Sequence, residues 1–204
     1  LEEELEFFIN MNGPSQSYLN GLFGGSKTYW NGQVYNEQFN QISMGFSPKA
    51  AFKLGMYLRL EDVVDFRNSR LGRSLRFGPE VRLQLGQHIQ INLDFTKQKF
   101  KVAGGQLFEA KLTDLRATYQ FSTQSYVRFT IQNNDRSRDP DLYIKPVSKR
   151  DNDLSMQLLY SYRYNAATRF FIGYSDIGYQ DENIQQIYST NQAFFAKFTY
   201  AFQY

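Results

Sequence analysis

Residues 74–85, SLRFGPEVRLQL, carry the clearest indication of the fold, because apolar and polar residues alternate along them. The odd-numbered positions are apolar, namely Leu75, Phe77, Pro79, Val81, Leu83 and Leu85. The even-numbered positions are polar or small, namely Ser74, Arg76, Gly78, Glu80, Arg82 and Gln84. A helix would scatter both sets around its circumference, whereas a β-strand points them to opposite faces. The stretch therefore predicts a strand with one apolar and one charged face.

The same alternation recurs along the chain. It is found in residues 5–11, 52–60, 89–95, 115–121, 127–131, 154–164, 170–174 and 194–204. These segments predict antiparallel strands with one apolar face each, because strands buried on both faces would be apolar throughout. The alternation loses its phase around residues 95–100 and 112–115, where we expect bulges or strand extensions above a membrane.

The composition excludes several classes of protein. The chain of 204 residues has no cysteine, so a disulfide scaffold, a cysteine-ligated zinc site and a cysteine nucleophile are excluded. Aromatic residues make up 17% of the chain, which is incompatible with disorder. The net charge of +3 comes from scattered residues, so we expect no nucleic-acid partner. No apolar run approaches the roughly 18 residues of a membrane-spanning helix, but alternating strands can cross a membrane as a barrel.

The connections between the predicted strands are of two kinds. Tight turns are predicted at residues 47–50, 86–87, 122–125 and 165–168, and long polar loops at 12–33, 62–73, 133–152 and 177–190, with only 103–106 short among the latter. Short turns at one end and long loops at the other are typical of outer-membrane barrels, whose short turns are periplasmic. The sequence thus predicts an all-β, antiparallel transmembrane β-barrel in the bacterial outer membrane. We expect about ten strands in one domain, residues 1–204, with both termini periplasmic.

A soluble antiparallel barrel such as a lipocalin is the alternative, with its apolar face turned inward. The membrane interpretation is favoured because the apolar faces end in Tyr and Phe, as an interfacial girdle does, and because the strands are long enough to span. Outer-membrane lipid is then the first expected partner.

The last residues carry a second indication. Lys197, Phe202 and Tyr204 resemble the C-terminal signal by which outer-membrane barrels are recognised for assembly, with Thr199 at the position usually held by glycine. This resemblance implies the barrel assembly machinery as a partner.

Three stretches extend the resemblance: residues 107–121 (LFEAKLTDLRATYQF), 157–176 (QLLYSYRYNAATRFFIGYSD) and 190–204 (TNQAFFAKFTYAFQY). They are similar to the C-terminal β-barrel of bacterial outer-membrane proteins that carry an N-terminal carbohydrate-binding-module-like domain ahead of a domain of unknown function. The resemblance implies that this chain is the C-terminal portion of a longer protein, and that other segments or subunits complete a larger barrel. It further implies a saccharide as solute or ligand, and it implies nothing about catalysis.

The candidate site is a set of basic side chains on the predicted lumen faces, close to the short turns. This basic belt consists of Lys53, Arg82, Arg128, Arg163 and Arg169. In a wide barrel the belt would line a pore and favour anionic or sugar-like solutes. In a narrow barrel the charges would instead pair across strands and fill the lumen, giving a non-conducting structural or surface-binding barrel. The sequence leaves both alternatives open, because it does not fix the number of strands in the complete barrel.

Catalytic and metal-binding readings are weaker. His88 is the only histidine and follows a short turn, away from the exterior where barrel enzymes act, so we expect no enzyme. The acidic residues of segment 133–153 alternate with basic ones that would repel a cation, so no metal or cofactor is expected. Residues 21–28, GLFGGSKT, lack the glycine before the lysine that a phosphate-binding loop needs, and predict an external loop instead.

Overall fold

The computed structural model describes residues 3–184 and 186–200 and is an all-β structure. Its strands are β1 (Glu3–Gly13), β2 (Ser17–Trp30), β3 (Gln33–Lys49), β4 (Phe52–Asp65), β5 (Arg70–Leu85), β6 (Ile89–Val102), β7 (Gly105–Gln120), β8 (Ser125–Arg138), β9 (Arg150–Arg163), β10 (Arg169–Asp181) and β11 (Tyr188–Thr199). One turn of 3₁₀ helix, Pro140–Leu142, lies between β8 and β9. Among the described residues, no helix has the length and apolarity to cross a membrane.

The 11 strands of the described residues form one antiparallel sheet in which each strand pairs with its neighbours in sequence. The sheet is open within the described residues, because β1 and β11 each pair on one side only. Their side chains are exposed along almost the whole of both strands. The antiparallel all-β prediction is confirmed, and closure into a barrel is not seen in this part of the chain.

The number of strands exceeds the predicted ten because residues 12–33 are not a long loop. Strand β2 occupies most of that segment and pairs with β1 over residues 17–27 and with β3 over residues 18–30. The alternation is not recognisable in the sequence of β2 because several of its positions are glycines. One of them, Gly24, faces the ring of Phe39, and a β-carbon at Gly24 would overlap that ring. The GLFGGSKT motif therefore lies in a strand, and the prediction of an external loop there is wrong.

The connections define two ends of the sheet. One, called the turn end, carries residues 14–16, 50–51, 86–88, 121–124 and 164–168; the other, called the loop end, carries 31–32, 66–69, 103–104, 139–149 and 182–187. The expected asymmetry is present only in part, since two loop-end connections are as tight as any at the turn end. With an odd number of antiparallel strands, β1 begins at the loop end and β11 finishes at the turn end. The prediction that both chain ends lie on one side is therefore wrong.

The register between strands divides the side chains into two faces. Leu58 of β4 pairs with Ile42 and Phe77, and this row belongs to the apolar face. Tyr57 pairs with Ser43 and Gly78 on the opposite, polar face. The apolar face is exposed to its surroundings: the exposed fraction is 47% for Leu58 and 48% for Leu158, in the middle of their strands. The period-two prediction of two distinct faces is thus confirmed.

Of the bulges or strand extensions predicted at residues 95–100 and 112–115, the structure has strand extensions, with no bulge inside these segments. Strands β6 and β7 keep one register from Ile89–Tyr119 to Phe100–Phe108, and it shifts only between Phe100 and Lys101. Phe100, Phe108 and Leu112 therefore lie on the polar face, while Lys97 and Lys99 continue the apolar face. The alternation changes phase in the sequence because, from these positions toward the loop end, polar residues occupy the apolar face and apolar residues occupy the polar face.

Aromatic rings on the polar face lie over glycines of the adjacent strand. Tyr18 covers its pairing partner Gly45, and Tyr57 covers Gly78, so closely that a β-carbon at either glycine would overlap the ring. Glycine in a strand often marks this kind of close approach. The described residues bury few apolar side chains, namely Tyr35, Phe39, Val64, Phe100 and Leu107. They belong to the loop-end half of the sheet.

Candidate functional site

All five residues of the basic belt lie on the polar face at the turn end. Lys53 pairs with Arg82 across β4 and β5, and Arg163 pairs with Arg169 across β9 and β10. Arg128 on β8 pairs with Thr118 of β7, on the same face. Strands β6 and β7 separate the belt into two groups. The predicted face and end are those observed, while the role of the belt stays a prediction.

The first group is neutralised by neighbouring carboxylates. The Lys53 Nζ lies 2.9 Å from Glu80 Oε1, and the Arg82 Nη2 lies 3.3 Å from Glu80 Oε2 and 3.2 Å from Asp94 Oδ1. These side chains remain partly exposed, with 42% of the side chain exposed for both Arg82 and Asp94. Two bases and two acids therefore form a pairwise balanced, half-exposed cluster.

The second group carries uncompensated charge. The guanidinium carbon of Arg128 lies over the ring of Tyr126, 5.2 Å from its centroid, and the Arg128 Nε donates to Thr118 Oγ1. Arg163 donates to the main-chain carbonyl of Thr123, at 2.9 Å. Within the described residues none of Arg128, Arg163 and Arg169 has an ion pair with a carboxylate. The belt's excess positive charge is thus concentrated on β8 to β10.

Closer to the middle of the sheet, Glu61 binds two arginines. Its carboxylate lies 2.6 Å from Arg59 Nε and 2.6 Å from Arg76 Nη2, and only 7% of its side chain is exposed. Arg59 also lies over the ring of Phe39. A buried carboxylate held by two cations is favourable only while both partners remain, because an unpaired buried charge is costly.

At the loop end, Asp151 is the centre of a similar cluster. It pairs with Arg136, at 2.6 Å, and with Arg138, and 7% of its side chain is exposed. Arg136 also reaches Asp153, at 2.8 Å. These contacts join β8 to β9 beneath the connection 139–149.

That connection folds over the polar face rather than away from the sheet. Ile144 N donates to Asn68 Oδ1, at 3.1 Å, and Arg70 donates to the carbonyl of Leu142, so the segment reaches from β8 to the β4–β5 turn. Beneath it lies a cleft of about 490 Å³, lined by Val63, Val64, Asp65, Phe66, Arg67, Gln98, Phe100, Leu107, Phe108, Arg136, Arg138 and Tyr143. Burial raises the pKa of the Tyr143 phenol above its ordinary value. The connection therefore covers part of the polar face at the loop end.

This cleft was missed by sequence reasoning, which assigned residues 133–152 to a solvated external loop. Segment 133–138 belongs to β8 and 150–152 to β9, and only the part between them is a connection. Pro140, Leu142, Tyr143 and Ile144 in an otherwise polar stretch were the available signal that it packs on something.

The remaining predicted residues can be placed as follows. Lys197 lies on the polar face of β11, opposite Phe171, while Phe202 and Tyr204 of the assembly signal lie outside the described residues. His88 stacks on Tyr119 and its Nδ1 donates to the carbonyl of Gln120, both at the turn end. Across residues 3–184 and 186–200, no cluster of three or more His, Asp or Glu side chains could hold a metal ion.

No protein-family model matches the sequence, and no curated protein shows significant similarity to it. The resemblance to the outer-membrane barrels with a carbohydrate-binding-module-like domain therefore rests on the three sequence stretches alone, and stays a prediction.

Proposed function

We propose that this chain is a membrane-spanning sheet of the bacterial outer membrane, and that it forms, with further strands, a barrel acting as a pore or transport component. The observation that carries the proposal is the exposed apolar face. On β4 it runs from Phe52 to Leu60, with Leu54, Met56 and Leu58 between them. Such a row rises about 26 Å along the strand, or about 20 Å across a membrane at the usual tilt, which is close to the apolar band of about 25 Å.

The border of the apolar face at the turn end supports the same proposal. Tyr119, Phe121 and Tyr160 form a chain of ring contacts there, at centroid distances of 4.9 and 6.5 Å. Aromatic girdles occupy the interfaces of membrane barrels because the rings are apolar with a polar edge or hydroxyl. An apolar surface of this extent would be an aggregation site on a soluble protein.

The strand parity favours completion by other strands. Strands β1 and β11 run in the same direction, so direct closure would pair them in parallel, whereas bacterial single-chain barrels are even-numbered and antiparallel. A second copy in the same membrane orientation would also offer only a parallel pair. We therefore propose an odd number of additional antiparallel strands, contributed by another segment or subunit.

The polar face is proposed to line the lumen. Its half-exposed ion pairs and its excess positive charge on β8 to β10 suit a water-filled passage that attracts anions. The resemblance makes a saccharide a candidate solute. We propose no catalytic role, and the expected orientation places the turn end in the periplasm.

A non-conducting barrel is the second candidate, and the folded connection 139–149 is the observation that favours it. This segment covers the cleft at the loop end and is held by Asn68 and Arg70. If it and the ion pairs fill the lumen, the barrel would be a structural or surface-binding element.

Single-channel recording of the assembled barrel tests the pore. Discrete openings are expected, with a reversal potential that favours anions at low salt. Replacing Arg82, Arg128 and Arg169 with Gln should shift the reversal potential toward cations. The three arginines give the mouth of the pore a positive potential of about a few kT, which concentrates anions and is screened by salt, and the variant lacks this potential. A bilayer that stays silent although the protein is inserted would support the filled barrel. Openings with unchanged selectivity in the triple variant would contradict the role of the belt.

A further inference from the structure

Three lysines share one carboxylate on the apolar face near the loop end. Lys97, Lys99 and Lys111, called here the lysine cluster, surround Glu109. Their Nζ atoms lie 3.0, 3.6 and 3.6 Å from the Glu109 carboxylate oxygens. The lysine side chains are 35, 40 and 45% exposed, whereas that of Glu109 is 17% exposed. One acid thus stands beneath three ammonium groups.

The cluster lies directly beyond the apolar row. Phe95 is the last apolar residue of its row on β6, and Lys97 and Lys99 are the next two side chains on the same face. Across the register, Lys97 pairs with Lys111 and Lys99 pairs with Glu109. Successive side chains on one face of a strand are about 6.6 Å apart. If the apolar face lies in hydrocarbon, the ammonium groups of the cluster lie at the level of the lipid headgroups.

The positive charge of the cluster is not balanced by its neighbours. The other ion pairs on this face toward the loop end, Glu3 with Lys27, Asp62 with Arg73 and Asp135 with Arg150, are matched one to one. In the lysine cluster the ammonium groups exceed the carboxylate by two. Each ammonium has three donor hydrogens, so donors remain for an anion after the contact with Glu109. The border of the same face at the turn end is aromatic, so the excess charge marks one interface only.

We propose that the lysine cluster binds the phosphate groups of anionic lipids in the leaflet at the loop end. This inference rests on the proposed membrane location but not on an open lumen. A basic residue near an anionic lipid surface gains attraction that salt screens, and two net charges correspond to about a 30-fold change in the folding equilibrium. The cluster would also favour the orientation that brings the loop end to the more anionic leaflet.

The test compares unfolding of the assembled barrel in vesicles of phosphatidylcholine with its unfolding in vesicles of equal parts of phosphatidylcholine and phosphatidylglycerol. The wild-type chain should be stabilised about 30-fold by the anionic lipid at low salt. The variant K97Q, K99Q and K111Q, combined with E109Q so that no acid is left unpaired, should lose that stabilisation. The charge-retaining variant K97R, K99R and K111R should keep it.

A matched control replaces a balanced pair on the same face that lies away from the cluster, with Glu3→Gln and Lys27→Gln, and should leave the lipid preference unchanged. Inorganic phosphate added to phosphatidylcholine vesicles should not reproduce the stabilisation, and an equal effect of free phosphate would contradict a lipid ligand. Insertion of the assembled wild-type barrel without any lipid preference would overturn this inference alone. Failure of the assembled barrel to insert in either vesicle would overturn the membrane location as well.

Discussion

An arginine placed on the apolar face should be far more destabilising than one placed on the polar face of the same strand. Leu158 and Gln157 are adjacent on β9 and point to opposite faces, since Leu158 pairs with Phe129 and Tyr174 while Gln157 pairs with Thr130 and Ser175. Leu158 is the middle residue of the apolar row from Leu154 to Tyr162. It lies about 13 Å along the strand from each end of the row, and hence about 10 Å in height at the usual tilt. This puts it near the midplane of the proposed membrane band.

An arginine at that depth costs about 2–4 kcal/mol, or about 30- to 700-fold in the unfolding equilibrium. Leu158→Arg should show this loss in denaturant unfolding from phospholipid vesicles, whereas Gln157→Arg should stay within about 1 kcal/mol because lumen substitutions are tolerated. Leu158 is 48% exposed. If the apolar face were in contact with water instead of lipid, replacing Leu158 with Arg would therefore change the free energy of unfolding by no more than about 0.5 kcal/mol. Equal effects of the two variants would refute the assignment of the faces.

Three further predictions concern contacts within the sheet. Gly78→Ala should cost about 1–3 kcal/mol because the methyl group overlaps the Tyr57 ring, and a double-mutant cycle with Tyr57→Leu should show that most of the loss disappears once the ring is gone. Asp151→Asn should cost about 3 kcal/mol in denaturant unfolding, because Arg136 and Arg138 lose their shared, buried partner, and a loss below about 0.5 kcal/mol would contradict the buried cluster. In the chain alone, hydrogen exchange should be fast at the outward-pointing amides of β1 and β11 and slow throughout β5 to β7. If other strands complete the sheet, the amides of both edge strands should become protected in the assembled protein.

The faces of most strands could be predicted from sequence because side-chain direction alternates with every residue, whatever the neighbours are. Residues 74–85 are the clearest case, and β5 has the two faces expected of it. Strand β2 could not be predicted in this way, because its glycines acquire a meaning only when Phe39 of β3 covers Gly24. Missing that strand also reversed the inferred position of one chain end, since parity changes with every strand counted.

For the candidate site, too, the sequence predicted the local placement of residues but not the contacts between strands. The belt residues could be assigned to one face and one end from local alternation and distance to the turns. Their partners could not, because Lys53, Arg82 and Glu80 meet through the register between β4 and β5, which no single segment contains. The cleft under connection 139–149 likewise depends on contacts with Asn68 and Arg70, distant in sequence.

The membrane location can be tested directly by measuring which side chains of β9 face lipid. The chain has no cysteine, so single cysteines can be introduced at positions 154–162 and spin-labelled without background. In phospholipid vesicles, collisions with lipid-soluble oxygen should be frequent at even positions such as Leu158, and collisions with a water-soluble nickel complex should be frequent at odd positions such as Gln157. If the nickel complex reaches even and odd positions equally, the apolar face is not in lipid and the proposed membrane-spanning sheet is wrong.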